Sequence, residues 1–224
     1  MLKGKGILTE IQKAFLEQFA KLPDQEYFCL SGGTALAEYY LGHRLSYDLD
    51  LFTSQPDLIT PFSYQVENLE KRSDLFITVV RRFASFVEFK VSLGDHQLKV
   101  DLALDSPFRL APVEQSDTGV MVSDFLDLQA DKVLAFFGRA EPRDAIDLHF
   151  LLKITSFNEL GEIARQKDPG FDLYWFAVAL NRTADYPDEI ERWPVKMLVE
   201  CDPIALKHEF KALARQIMDG LIQS

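Results

Sequence analysis

The sequence predicts an α+β fold whose first half mixes strands with helices and whose second half is helical. Three observations carry that expectation. Apolar and polar residues alternate over 47–52 and 96–104, the period of a half-buried strand. Five segments after residue 123 place apolar residues at helical spacing. Between them the composition breaks over 106–122, where Pro107, Pro112 and Gly119 fall, so domains are expected at 1–118 and 119–224.

Residues 7–21 read as the first helix, with Ile7, Leu8, Ile11, Phe15, Leu16 and Phe19 on one stripe, Thr9 near its start and Pro23-Asp24 after its end. Tyr27-Phe28-Cys29-Leu30 is a short buried strand and Ser31-Gly32-Gly33-Thr34 a tight turn. Residues 35–41 form a second helix, which Gly42 is suited to stop. On the strand at 47–52, Asp48 and Asp50 point one way and Tyr47, Leu49 and Leu51 the other. Residues 58–72 read as a helix with Pro61 in its first turn. Strands follow at 75–80 and 83–93, with Arg81-Arg82 as an exposed turn between them. Gly94-Asp95 turns the chain into the strand at 96–104, where Leu98, Val100, Leu102 and Leu104 oppose Lys99, Asp101 and Ala103. Phe83, Phe86 and Phe89 are expected in the core. The later helices are expected at 123–138, 142–153, 157–166, 172–182 and 203–222, with Pro142 at a first helical position and a capping box from Ser156 and Glu159.

Bulk properties narrow the function classes. Apolar residues make up 47% and charged residues 26%, an ordinary globular balance. Eighteen Phe against two Trp imply a large aromatic interior. Cys29 and Cys201 belong to no paired-cysteine motif, which argues against a zinc site and a disulfide framework; Cys29 reads as a buried thiol. No apolar run approaches the ~18 residues of a membrane span, and the first residues lack a signal-peptide core, so a cytoplasmic protein is expected. The net charge of −11 argues against broad, non-specific nucleic-acid binding. It leaves room for a local groove built from Arg81, Arg82, Arg109, Lys132, Arg139 and Arg143.

The chemistry is expected at Asp48, Asp50 and Asp101. Carboxylates at i and i+2 on a strand share a face with Cα atoms roughly 7 Å apart, so their side chains can converge on one cation. Asp101 supplies a third from the polar face of another strand. Magnesium suits carboxylate and phosphate oxygens together, and neutralises a cluster that would otherwise repel itself. The Gly32-Gly33-Thr34 turn before a helix lets backbone N–H groups approach a phosphate. Taken singly, a Gly-Gly turn is most often only a turn, and an Asp-x-Asp strand most often a solvent face. Their order in the chain strengthens both.

The segment from Leu30-Ser31-Gly32-Gly33-Thr34-Ala35-Leu36 through His43-Arg44-Leu45-Ser46-Tyr47-Asp48-Leu49-Asp50-Leu51-Phe52 resembles the AbiEii/AbiGii toxin family of nucleotidyltransferases. A second block resembles it too: Asp131-Lys132-Val133-Leu134-Ala135, Arg139, and Arg143-Asp144-Ala145-Ile146-Asp147-Leu148. The resemblance spans roughly residues 28–152. It implies a polymerase-β-like nucleotidyltransferase core, a mixed sheet flanked by helices, followed by a helical C-terminal half. It further implies magnesium-dependent transfer of a nucleotide from a nucleoside triphosphate to a tRNA or protein acceptor, and a toxin with an antitoxin protein as partner. By motif, Ser31, Gly32, Gly33, Thr34, Arg44 and Ser46 would hold the nucleotide, Asp48 and Asp50 the metal, and Lys132 the phosphates. Asp144 or Asp147 would serve the acceptor or the catalytic geometry. The superfamily's commonest turn is Gly-Ser, and this chain has Gly-Gly-Thr.

Plainer readings stand beside these. Arg44 can pair locally and Ser46 can cap a loop. Lys132 can be a solvated helix residue, and Arg143 with Asp147 an i,i+4 pair. His43 and His149 lack partners at zinc-ligand spacing. At the level of function the alternatives are a nucleotide-binding module without turnover, and a transferase acting on a cationic small molecule such as an aminoglycoside, which the net charge would suit.

Overall fold

The computed structural model describes residues 1–223. Its contacts group the chain into two compact units, Met1–Leu128 and Gln129–Ser224.

The first unit is built on a seven-stranded mixed sheet. Its strands are β1 (Cys29–Ser31), β2 (Asp48–Thr53), β3 (Phe76–Phe83), β4 (Phe86–Leu93), β5 (His96–Leu104), β6 (Glu114–Gln115) and β7 (Met121–Val122), in the spatial order β3-β4-β5-β2-β1-β7-β6. β2 runs parallel to β5 and β1 parallel to β7, while the other neighbours are antiparallel. The helices of this unit are α1 (Glu10–Phe19), α2 (Gly32–Ala35) and α3 (Ile59–Glu67). Alternation on β2, β4 and β5 puts Leu49, Leu51, Val87, Phe89, Val91, Leu98, Val100 and Leu102 on one face, all buried. That face carries α1 and α3, where Phe28 and Phe62 stack at 4.2 Å and Phe19 meets both rings edge-on. Burying each such ring contributes about 1.5–3 kcal/mol.

Local chemistry sets the helix ends. Thr9 caps α1 in a capping box with Gln12. Gly42 stops the second helix at φ +67, the left-handed stop its lack of a Cβ permits. No separate turn precedes that helix. Ser31 ends β1 and is already the N-cap, so Gly32 opens α2, which runs into a π-helical stretch (Leu36–Leu41). Glu38 on that stretch is buried and accepts the backbone N–H groups of Gly6, Ile7 and Leu8, tying down the N-terminal segment.

Two sequence expectations are corrected here. Arg81 and Arg82 lie within β3, and the turn comes later, at Ala84-Ser85. Of the three expected core rings only Phe89 is buried, whereas Phe83 is 60% exposed. A register shift between Val79 and Arg81 moves the β3 alternation by one residue and turns Phe83 outward, where its cross-strand partner Phe86 shares its face.

The second unit is helical. α4 (Phe125–Arg139), in which the division falls, is followed by α5 (Pro142–Leu152), α6 (Phe157–Lys167), α7 (Leu173–Arg182) and α8 (Pro203–Gln223). Pro142 stands in the first turn of α5, and Ser156 with Glu159 forms the capping box of α6. Phe136, Phe176 and Phe210 meet edge-on in its core, one each from α4, α7 and α8. The expected Arg143–Asp147 pair does not form: Arg143 reaches Glu141, and Asp147 is held by Lys132. Among the described residues no helix is long and apolar enough to cross a membrane.

Candidate active site

The register of three strands assembles the carboxylates. Asp50 on β2 is the direct partner of Asp101 on β5 and also of Ser31 on β1. Asp48, two residues earlier on the same face, is opposite Lys99. Neighbouring strands lie about 4.8 Å apart, so Asp50 and Asp101 stand side by side with Asp48 one step along. Gly32 sits against this group. Its φ is +67, and a Cβ built on it would lie 2.2 Å from Asp50 Oδ2. The glycine is therefore required twice, by its backbone conformation and by the carboxylate above it.

Gly33 is crowded from the other side. A Cβ there would lie 2.7 Å from an Arg44 guanidinium nitrogen and 2.9 Å from Ser46 Oγ, so those two side chains converge on the helix start. Arg44 is buried and donates to the Leu45 carbonyl at 3.0 Å. Gln12 on α1 fixes the loop by donating to the Ser46 carbonyl at 2.8 Å. The Thr34 hydroxyl, expected on a phosphate, donates instead to the Asp48 carbonyl, which ties the helix to β2. Ser31 makes no capping hydrogen bond through its side chain, which leaves the N–H groups of the first turn for another acceptor.

Asp101 is the electrostatically distinct member. Its Oδ2 accepts from Lys99 Nζ at 2.7 Å, while its Oδ1 is buried with no hydrogen-bond partner. Burial pushes its carboxyl above the ordinary range; Lys99 opposes that, and the charges of Glu88 and Asp48 add to it. Glu88 is the residue the sequence reading missed. It is the β4 partner of Asp101, and a hairpin centred on Gly94-Asp95 already implies that pairing. Hard carboxylate oxygens on a shared face, one of them lacking a donor, fit a divalent cation. Among the described residues, however, no three His, Cys, Asp or Glu side chains are drawn together as a finished cage.

The remaining predicted residues lie in the second unit. Lys132 Nζ on α4 is 2.8 Å from Asp147 on α5, the two side chains being 8% and 0% exposed. Arg139 grips Asp144 through Nε and Nη2 at 2.6 and 2.8 Å. These pairs bolt α4 to α5. Lys132 is thus neither a solvated residue nor a bare cation. The cations considered for a basic groove are tied locally as well, Arg81 to Glu88, Arg82 to Glu67, and Arg109 to the Cys29 sulfur. Burial keeps the Cys29 thiol protonated, as expected of an inert core cysteine.

The family described as nucleotidyl transferase AbiEii toxin, Type IV TA system, matches residues 14–219. An uncharacterised protein of Aquifex aeolicus, aq_aa25, is 26% identical over 187 residues, covering 82% of this chain and 86% of that one. MenT4, a nucleotidyltransferase toxin from Mycobacterium tuberculosis, superposes with a TM-score of 0.64 at 16% identity, over 93% of this chain and 82% of its own. JHP933 from Helicobacter pylori does so with a TM-score of 0.59 at 19% identity, over 96% and 91%. The two solved structures share the fold.

Proposed function

Because the chain belongs to the nucleotidyl transferase AbiEii toxin family, and is a nucleotidyltransferase on that ground, we propose that it moves a nucleotide from a nucleoside triphosphate to an acceptor hydroxyl at Asp48, Asp50 and Asp101. One observation supports this most: Asp50 is flanked by Asp101 on one side and by the glycine start of a helix on the other. The carboxylate face and the glycine start of the helix thereby meet at one atom, Asp50 Oδ2.

The triphosphate lies on the first turn of α2. Free N–H groups and the positive end of the helix attract anionic oxygens there, and Gly32 and Gly33 keep the approach open. Ser31, Arg44 and Ser46 line the same turn, while Thr34 holds the turn against β2. Asp48, Asp50 and Asp101 would hold magnesium. Bound there, the ion would neutralise phosphate charge and polarise the attacking and leaving oxygens. Asp101, whose proton affinity is already raised by burial, takes the proton of the acceptor hydroxyl. On the family resemblance alone, Lys132 would contact the phosphates, and Asp144 or Asp147 would serve the acceptor or the catalytic geometry. The acceptor is a tRNA or a protein, and the chain acts in the cytoplasm as a toxin restrained by an antitoxin protein.

The test is label transfer from radiolabelled triphosphates into total RNA, cell protein or aminoglycosides. Asp48→Ala and Asp50→Ala should abolish it, as should chelation, with magnesium restoring the wild type. Undiminished transfer by correctly folded variants contradicts the mechanism. A second reading, nucleotide binding without turnover, draws on Lys99, which holds one Asp101 oxygen. Calorimetric binding of a triphosphate with no pyrophosphate released would establish it.

A further inference from the structure

We propose that Lys99 is a built-in counter-ion of the carboxylate site: its ammonium holds Asp101 while no metal is bound and must be displaced before a divalent cation can be seated. The inference rests on the transfer reading above and names what controls entry of the metal.

The register puts this lysine where the negative charges converge. Asp48 on β2 is its direct partner, and Asp101 lies two positions along on the same face of β5. Its Nζ donates to Asp101 Oδ2 at 2.7 Å, and Asp101, Asp48 and Glu88 are the carboxylates whose charges act on it. Asp101 stands between Asp50 on one neighbouring strand and Glu88 on the other. Like charges at that spacing repel, so the face calls for cations. Arg81 answers Glu88 from β3, and Lys99 answers Asp101 from its own strand.

The ammonium takes up what a metal would use. It occupies one oxygen of Asp101, and among the described residues the acidic side chains are not drawn together as a cage while it does so. It also serves Asp101 only by half, since Oδ1 stays buried without a donor. The bond is easy to break. The Lys99 side chain is 44% exposed, and an exposed ion pair contributes little. Its flexible stem can swing the charge into water without disturbing β5, whose buried face is carried by Leu98, Val100 and Leu102. A divalent cation carries twice the charge and accepts several oxygens at once, so it is the stronger partner. Lys90 on β4 provides a comparison. It is exposed beside Lys99, but it faces Lys99 and Thr78 across the ladder, not a carboxylate.

The experiment titrates manganese(II) into the full chain without nucleotide and reads the free ion by electron paramagnetic resonance, so that binding is seen apart from chemistry. A unit charge beside a divalent ion in a water-like medium changes its affinity about tenfold. Lys99→Met should therefore bind manganese about tenfold more tightly than wild type, and Lys99→Arg as wild type does. Lys90→Met should stay within about twofold of wild type, its charge being farther off and screened. Circular dichroism checks folding. In thermal unfolding Lys99→Met should gain more from added manganese than wild type gains. Binding by Lys99→Met that is no tighter overturns the proposal. Weaker binding does so as well, because the lysine would then be a prop that orients Asp101. Equal tightening in Lys90→Met also overturns it, since any nearby charge would then suffice. Asp50→Ala separates the two readings. If it binds manganese as wild type does, these carboxylates do not hold the metal, and the transfer reading falls together with the counter-ion. If it loses the ion while Lys99→Met gains nothing, the reaction stands and the counter-ion alone is wrong.

Discussion

Replacing Gly32 with alanine separates the two demands placed on that position. At φ +67 an L-residue costs about 1–2 kcal/mol. The added methyl would sit 2.2 Å from Asp50 Oδ2, where ordinary contact is ~3.5 Å, so the carboxylate must retreat by about 1 Å. Oδ2 can yield by rotation, while Cγ at 3.0 Å and Cβ at 3.3 Å must shift slightly as well, so the clash displaces the carboxylate that the reaction needs. Gly94→Ala is the matched control: its φ of +56 imposes similar backbone strain, and nothing lies within 4 Å of its Cβ. Both variants should melt about 2–8 °C lower than wild type. Gly32→Ala alone should lose on the order of a hundredfold in transfer, the usual effect of a 1 Å misplacement in a reacting site. The assay is label transfer at saturating triphosphate, alongside thermal unfolding. If Gly32→Ala transfers within a fewfold of Gly94→Ala, Asp50 is not held where the chemistry needs it.

In the second unit, Asp147→Asn should destabilise by about 3–5 kcal/mol in urea unfolding, because it strands the buried Lys132 ammonium, and Lys132→Met in the same chain should recover much of that loss; additive losses would contradict the pairing. Tyr186 donates to the Ala140 carbonyl, and burial, then the charges of Asp144 and Glu141, push its hydroxyl up to about 12. A raised folded value means that its stabilisation is complete below the unfolded value of 10.0 and is lost as pH climbs through about 12. The ultraviolet titration difference between wild type and Tyr186→Phe should therefore centre near 12 and move down in Asp144→Asn, and a centre near 10 refutes the burial argument. Glu38→Gln should speed hydrogen exchange at Gly6, Ile7 and Leu8 while leaving β5 protected; unchanged exchange there would mean that the carboxylate does not anchor the segment.

What the sequence disclosed, and what it withheld, follows from the range of each signal. Helix starts are local, and Thr9, Pro142 and Ser156 with Glu159 stand where the pattern put them. The side each β2 and β5 residue faces is also local, since alternation encodes it. The Ala84-Ser85 turn carries no Gly, Pro or Asn, so the two arginines before it drew the turn to themselves. β6 and β7 are two residues each, too short for any periodicity. Lys132 was legible as a helix residue, yet its partner is fifteen positions away on another helix, and nothing in a single sequence points from one to the other.

The site itself turns on a quantity between these extremes. Alternation says that Asp50 and Asp101 belong to polar faces but not that they meet, because β2 and β5 are joined by α3 and the β3–β4 hairpin. A one-residue slip between them would drive Asp50 into the core and bring Leu49 and Leu51 out, at several kcal/mol. A two-residue slip would keep every face correct and set Asp50 opposite Lys99 or Ala103. Burial alone does not forbid that slip. The end of the ladder does: Thr53 is fully buried opposite Leu104, and its carbonyl accepts the Asp105 N–H at 2.9 Å. Gly94, at positive φ, fixes the other end by setting where β5 begins. The alignment of the two carboxylates is thus set by a turn and a strand end, neither of which takes part in the reaction.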